Sequence, residues 1–178
     1  MGHMILANYM VSHTDISEIW FVVSPQNPLK KKGTLLDEIH RYAIVERAIE
    51  EDERFKVSNI EFSMPKPSYT IDTVVRLEEK HPDNEFVLIV GEDNLSSFSK
   101  WKNADELLNR CELYVYPRNN EQRSSAYRDH PKVKLVPAPQ IELSATFIRK
   151  SIQEGKDIHW LLPAKAWTYI DEMNFYKG

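Results

Sequence analysis

One cysteine, Cys111, stands in 178 residues. An internal disulfide is therefore excluded, and with no second cysteine nearby Cys111 reads as a core thiol in a reducing compartment, the cytoplasm. No stretch approaches the roughly 20 apolar residues that a membrane span needs. A secretory leader is not visible either, since residues 4–11 carry neither a basic n-region nor a small-residue cleavage site. Positive charge is not in excess: 23 Lys and Arg against 27 Asp and Glu leave a formal net charge of −4. A nucleic-acid surface needs a broad basic face, so neither nucleic acid nor a membrane is an expected partner. A small phosphorylated substrate stays open, because it needs only a local positive pocket. Internal repeats, low-complexity segments and linker-like stretches are missing, and no Cys/His cluster has the spacing of a zinc site. What is there is ordinary for a globular chain, 42% hydrophobic and 28% charged. Length and composition together imply a single domain over 1–178, with 144–178 as its C-terminal helical portion.

Hydrophobic periodicity alternates between two kinds of element. Ile5, Leu6, Tyr9 and Met10 share one face of a helix over 3–13. "EIWFVVS" (18–24) and "EFVLIVG" (85–91) are continuous apolar runs of strand length. The segment 34–52 reads as a helix, with Thr34 as cap and Asp37 at the reciprocal capping position. An alternating strand is expected over 55–63, a helix over 70–82, a short helix over 104–110, and strands over 111–118 and 133–138. A helix over 144–155 has Ser144 as N-cap, Gly155 as its stop, and Leu143 and Ile148 placed for a hydrophobic staple. The last helix covers 163–176, with Pro163 in its first turn. Strands apolar along their whole length, separated by helices, imply a doubly wound α/β fold: a parallel sheet with helices on both faces. Such folds hold ligands at the carboxyl ends of their strands.

Four such strand ends carry chemistry. "SPQNPLKKK" (24–32) offers Lys30, in a proline-stiffened loop, as a point charge for phosphate, while Lys31 and Lys32 read as a solvated run. "GEDNLSSFSKW" (91–101) offers Gly91 for close backbone approach and Asp93 as an acceptor for ribose or an adenine amino group, although a turn cap is the commoner meaning of such an Asp. Trp101 is either core or a stacking platform. "SYTIDT" (68–73) starts a helix at Thr70, where open amide N–H groups suit a carboxylate or phosphate as well as plain capping. "LSATFIR" (143–149) does the same with Ser144 and Thr146, and adds Arg149 within bidentate reach of the same anion. Gly2-His3, ahead of the first helix, is an expression remnant, a plain start, or half of a nucleotide motif. A histidine, a lysine, an arginine and two helix starts suit phosphoryl chemistry, where catalysis is mostly positioning and charge neutralisation. A magnesium ion held by triphosphate and water leaves no ligand signature.

Taken in order, "GHMILAN", "SPQNPLKKK", "SYTIDT", "VGEDNLSSFSKWKN" and "LSATFIR" resemble the bacterial nicotinate-nucleotide adenylyltransferases of the nucleotidyltransferase superfamily, along nearly the whole chain. The resemblance implies a Rossmann-like fold and a reaction. The 5′-phosphate of nicotinate mononucleotide attacks the α-phosphate of ATP, with Mg²⁺ assisting, and deamido-NAD and pyrophosphate form. It assigns His3, with Gly2, to the ATP phosphates, and Ser144, Thr146 and Arg149 to the β- and γ-phosphates. Gly91 and Asp93 fall to the adenosine side, Tyr69, Thr70 and Trp101 to the nicotinate ring and its carboxylate, and Lys30 and Arg118 to phosphate on the mononucleotide side. His3, Arg149 and Lys30 would be the catalytic charges, and a homo-oligomer is compatible with the pattern. The family pattern begins with a strand and a turn ending in His-x-Gly-His, whereas this sequence begins at Gly-His. The expectation is therefore a truncated start or an impaired molecule. A related transferase such as phosphopantetheine adenylyltransferase, or a non-catalytic nucleotide-binding protein, are the alternatives.

Overall fold

The computed structural model describes residues 1–25, 36–118 and 125–177. In chain order the elements are α1 (Gly2–His13), β1 (Ile19–Val22), α2 (Glu38–Ile49), β2 (Phe55–Ser58), α3 (Thr70–Lys80) and β3 (Val87–Gly91). They continue as α4 (Glu92–Leu95), α5 (Ala104–Arg110), β4 (Glu112–Tyr116), β5 (Val133–Leu135), α6 (Ala145–Gln153) and α7 (Ala164–Glu172). The chain forms two compact units. The first takes its described residues from 1–23, 36–59 and 141–177, and the second from 24–25, 60–118 and 125–140. No described helix is long and apolar enough to cross a membrane.

In the first unit β1 and β2 run parallel, from Ile19 opposite Phe55 to Val22 opposite Ser58. Val23 N–H extends the ladder to the Ser58 carbonyl at 3.0 Å. Arg54 ties the approach to β2 to α1 by donating to Asn8 Oδ1 at 3.0 Å. Helix α1 buries Ala7 and Met10, while Ile5 faces outward instead of joining the buried stripe. Helix α2 is shorter than the expected 34–52 because Asp37 itself is the cap, its carboxylate accepting from Ile39 N–H at 2.9 Å. Thr34 lies outside the described residues. Helix α6 starts and stops as its sequence implies. Ser144 Oγ accepts from Phe147 N–H at 3.1 Å, and Gly155 takes the left-handed φ of +68° that ends the helix. Ile148 lies in one apolar cluster with Ile152, Ile158 and Ile170, and Leu143 packs against that cluster. Pro163 stands one position before α7, as its N-cap.

In the second unit β3, β4 and β5 are parallel, Val87 opposite Glu112 and Leu113 opposite Val133. Leu113, Tyr114 and Val115 are buried in succession, so both faces of β4 are covered. The α/β organisation with parallel strands is therefore as the alternation implies. Two strand expectations fail at their ends. The run 55–63 stops at Ser58 and continues as a 3₁₀ turn over Ile60–Ser63. Ile60 and Glu61 are both buried, and successive strand residues cannot both point inward on a one-sided strand. The run 133–138 pairs only to Leu135, ahead of Pro137, which has no N–H to donate. Among the described residues the strands form two ladders, β1–β2 and β3–β4–β5, and β1 and β3 each pair along one edge only.

Phe98, Leu107 and Leu113 are fully buried in the core of the second unit. Phe98 meets Trp101 and Tyr127 at ring-centroid distances of 5.2 and 5.1 Å. Truncation by Phe98→Ala is expected to destabilise the protein by about 3–5 kcal/mol, read from urea unfolding curves. Cys111 is the core residue expected: it is 2% exposed, and its thiol donates to the Leu107 carbonyl at 3.4 Å. Burial, with a smaller push from Glu78, raises its pKa from 9.0 to about 11. The folded thiol holds its proton through a range in which the unfolded one loses it. Stability should therefore fall as pH rises from 9 towards about 11. Unfolding curves of wild type and Cys111→Ala across that range check this, the variant losing that part of the slope.

Candidate functional site

Each unit gathers part of the residue set singled out in the sequence. In the first, the N-termini of α1 and α6 lie side by side: a Cβ built on Gly2 would be 3.9 Å from the Leu143 carbonyl oxygen and 3.9 Å from Ile141 Cγ2. Helix α1 has no side-chain cap and no acid in its first turn, and His3 is exposed on that turn. Helix α6 also lacks a first-turn acid. Ser144, Thr146 and Phe147 are exposed there. Arg149 is half-buried, and its Nη2 donates to Thr146 Oγ1 at 3.2 Å, which turns the guanidinium toward the helix start. The positive field of Arg149 and Arg41 reaches Tyr176 and offsets part of the rise that burial gives its phenol. By contrast α2, α3, α4 and α5 all carry acids in the first turn. Two adjacent helix starts without acids, with a histidine and an arginine on them, have the charge to suit an anion.

The second unit holds the other part. Gly91 ends β3, and Asp93 follows in α4. A Cβ at Gly91 would collide with Asp93 Oδ1 and come within 3.3 Å of Arg118 Cδ and 3.4 Å of Tyr116 Cζ. Asp93 Oδ2 accepts from Arg118 Nη1 at 3.3 Å, whereas Oδ1 is buried and takes no hydrogen bond from the described residues. Burial raises the Tyr116 phenol, Arg118 lowers it and Asp93 raises it, so the three groups share one field. A carboxylate oxygen without a described donor, beside a glycine whose Cβ would displace it, has the chemistry to accept from a hydroxyl or amino group.

Helix α3 begins at Thr70, the first residue of the expected range. Tyr69, not Thr70, is the N-cap, and Thr70 is the first helical residue. No side chain caps this helix. Tyr69 is exposed, and Lys102 Nζ sits 4.8 Å from its ring centroid. The same ammonium binds both oxygens of Asp72, at 3.1 and 2.8 Å. Trp101, next in sequence, packs partly on the core of the unit. Lys102 was not among the residues singled out in the sequence. Its partner Asp72 lies 30 positions away, a distance no local pattern reaches. Lys30 falls outside the described residues. Among those described, no group of three or more His, Cys, Asp or Glu is arranged to hold a metal ion.

A family model described as cytidylyltransferase-like matches residues 1–151, which defines the chain as a nucleotidyltransferase. Curated relatives narrow the class. The chain is 52% identical to a probable nicotinate-nucleotide adenylyltransferase of Christiangramia forsetii, over 99% of this chain and 91% of the relative. It is 50% identical to one of Flavobacterium johnsoniae, over 99% and 92%. The chain belongs to the nicotinate-nucleotide adenylyltransferase family. Its fold is that of the Plasmodium falciparum nicotinic acid mononucleotide adenylyltransferase solved with NaAD, at a TM-score of 0.78 and 20% identity, over 98% of this chain and 90% of the other.

Gly91→Ala tests the strand-end acceptor. The added methyl should turn Asp93 away while the fold persists, so nucleotide binding should weaken about tenfold or more, as loss of a charged hydrogen-bond acceptor implies. Calorimetric titration with ATP and with nicotinate mononucleotide, beside a thermal melt, checks that binding and stability separate.

Proposed function

We propose that the chain transfers an adenylyl group from ATP to nicotinate mononucleotide, giving deamido-NAD and pyrophosphate. The observation that carries this reading is the pair of acid-free helix starts at α1 and α6, held side by side with His3, Thr146 and Arg149 on them. Amide dipoles at two helix ends, one guanidinium and one imidazole match the charge of a polyphosphate. The names of the relatives supply the substrate class.

In this reading Ser144, Thr146 and Arg149 hold the β- and γ-phosphates, so the pyrophosphate leaves already neutralised. Gly2 lets the backbone approach those oxygens, and His3 donates to an oxygen where charge builds as the α-phosphorus is attacked. A phosphate oxygen of the mononucleotide forms the new P–O bond, the bond from α-phosphorus to its bridging oxygen breaks, and pyrophosphate carries off the electron pair. Mg²⁺ bound with ATP would supply further neutralisation of the phosphate charge. Asp93 accepts from the adenosine, beside the bare Gly91. Tyr69, Thr70 and Trp101 take the nicotinate ring and its carboxylate at the uncapped start of α3. Lys30 and Arg118 take phosphate on the mononucleotide side. For this reading, Arg118 exchanges its pairing with Asp93 for the substrate.

Pyrophosphate release from ATP, Mg²⁺ and nicotinate mononucleotide is the direct test. Binding of ATP without turnover would contradict adenylyl transfer by this chain, and equal turnover of the nicotinamide nucleotide would contradict the carboxylate assignment. His3→Ala should lower kcat about a hundredfold with little change in ATP affinity, as expected when one donor to transition-state charge is lost. Arg149→Lys should weaken productive ATP binding by roughly 10-fold to 100-fold, because an ammonium cannot reproduce the fork. Initial-rate kinetics over both substrates separate the two effects.

A further inference from the structure

Glu61 is a buried carboxylate that the proposed mechanism leaves unused. It is 6% exposed and lies on the 3₁₀ turn Ile60–Ser63. Its two oxygens are divided between two hydroxyls. Oε2 accepts from Ser68 Oγ at 2.5 Å, and Oε1 accepts from Thr73 Oγ1 at 2.8 Å. Thr73 Oγ1 is farther, 3.2 Å, from the Tyr69 carbonyl within its own helix. Ser68 and Thr73 are themselves 8% and 5% exposed. They bracket Tyr69, Thr70, Ile71 and Asp72, the N-cap and first turn of α3.

The arrangement opposes what a helix start ordinarily does. Hydroxyls and carboxylates near the first turn normally turn onto its amides and cap them. Here both hydroxyls point into Glu61, and the first-turn acid Asp72 is held by Lys102 Nζ. Among the described residues the helix has no side-chain cap. A buried carboxylate with one donor on each oxygen is also a rigid clamp, since each lost bond leaves a buried acceptor unsatisfied.

We propose that Glu61 is a positioning residue for the pyridine end of the substrate. By clamping Ser68 and Thr73 it fixes the first turn of α3 and keeps its amide N–H groups open to the nicotinate carboxylate. This rests on the substrate reading given above. Glu61 touches no substrate atom and acts through the turn it holds.

The test is calorimetric binding of nicotinate mononucleotide, nicotinamide mononucleotide and ATP to wild type, Glu61→Gln, Ser68→Ala and Thr73→Val. Glutamine keeps the volume but its Nε2 cannot accept, so one hydroxyl is released. Glu61→Gln should bind nicotinate mononucleotide about tenfold more weakly, with ATP affinity within about twofold, and its preference over the nicotinamide nucleotide should drop by a similar factor. Ser68→Ala and Thr73→Val each remove one arm of the clamp and should weaken the same ligand by about threefold to fivefold. They carry the test if the glutamine variant does not fold. Equal weakening of ATP, or unchanged nicotinate affinity in the folded variants, overturns the positioning role while leaving the substrate reading intact. If wild type itself binds no nicotinate mononucleotide, the substrate reading and the positioning role fall together.

Discussion

An α-helix leaves its first N–H groups without partners inside the helix, and what satisfies them decides what the helix end can do. In this chain the starts are treated unequally. Asp37 caps α2 from its own sequence, and acids stand in the first turns of α2, α4 and α5. The starts of α1 and α6 have no such acids, and among the described residues no side chain caps α1. At α3 the acid is present but held by Lys102. The starts of α1 and α6 therefore carry no acid of their own to offset the helix dipole, and at α3 the acid is partly offset by Lys102. A protein with a formal net charge of −4 can in this way receive polyanionic ligands without a basic surface.

What the sequence made readable was whatever depends on neighbours within one element. Ser144 and Gly155 sit within a dozen residues, and their capping follows from local backbone geometry alone. The parallel arrangement followed from continuous apolar strands alternating with helices. Boundaries were less secure. A strand read through 55–63 fails because burial of Ile60 and Glu61 is set by what packs on them, not by alternation. At α3 the cap position falls on Tyr69 rather than Thr70, and the hydroxyls of Ser68 and Thr73 answer to Glu61.

The candidate site divides along the same line. Residue types at strand ends and helix starts are local facts, so Gly2, His3, Gly91, Asp93, Ser144, Thr146 and Arg149 could be named from sequence. Their adjacency could not. That Gly2 lies against the Leu143 carbonyl, some 140 positions on, is a consequence of how α1 and α6 pack within the first unit. Lys102 reaching Asp72 and Tyr69, and Arg118 reaching Asp93, are pairings between separate elements. A single sequence holds both members of each pair but not their proximity.

The pairing of Arg118 with Asp93 bears on how such a site discriminates. One carboxylate oxygen is occupied at 3.3 Å and the other is buried with no hydrogen bond from the described residues. Burying an acceptor without a donor costs about 1–3 kcal/mol, and a ligand group that supplies the donor recovers that cost on binding. A ligand lacking the group leaves it unrecovered. On the proposed reading, selectivity comes from an unsatisfied atom beside Gly91 and Arg118 rather than from added contact area. The clamp on α3 works by the same logic with the signs exchanged: there the protein holds open donors, and only a ligand with an acceptor at that position satisfies them.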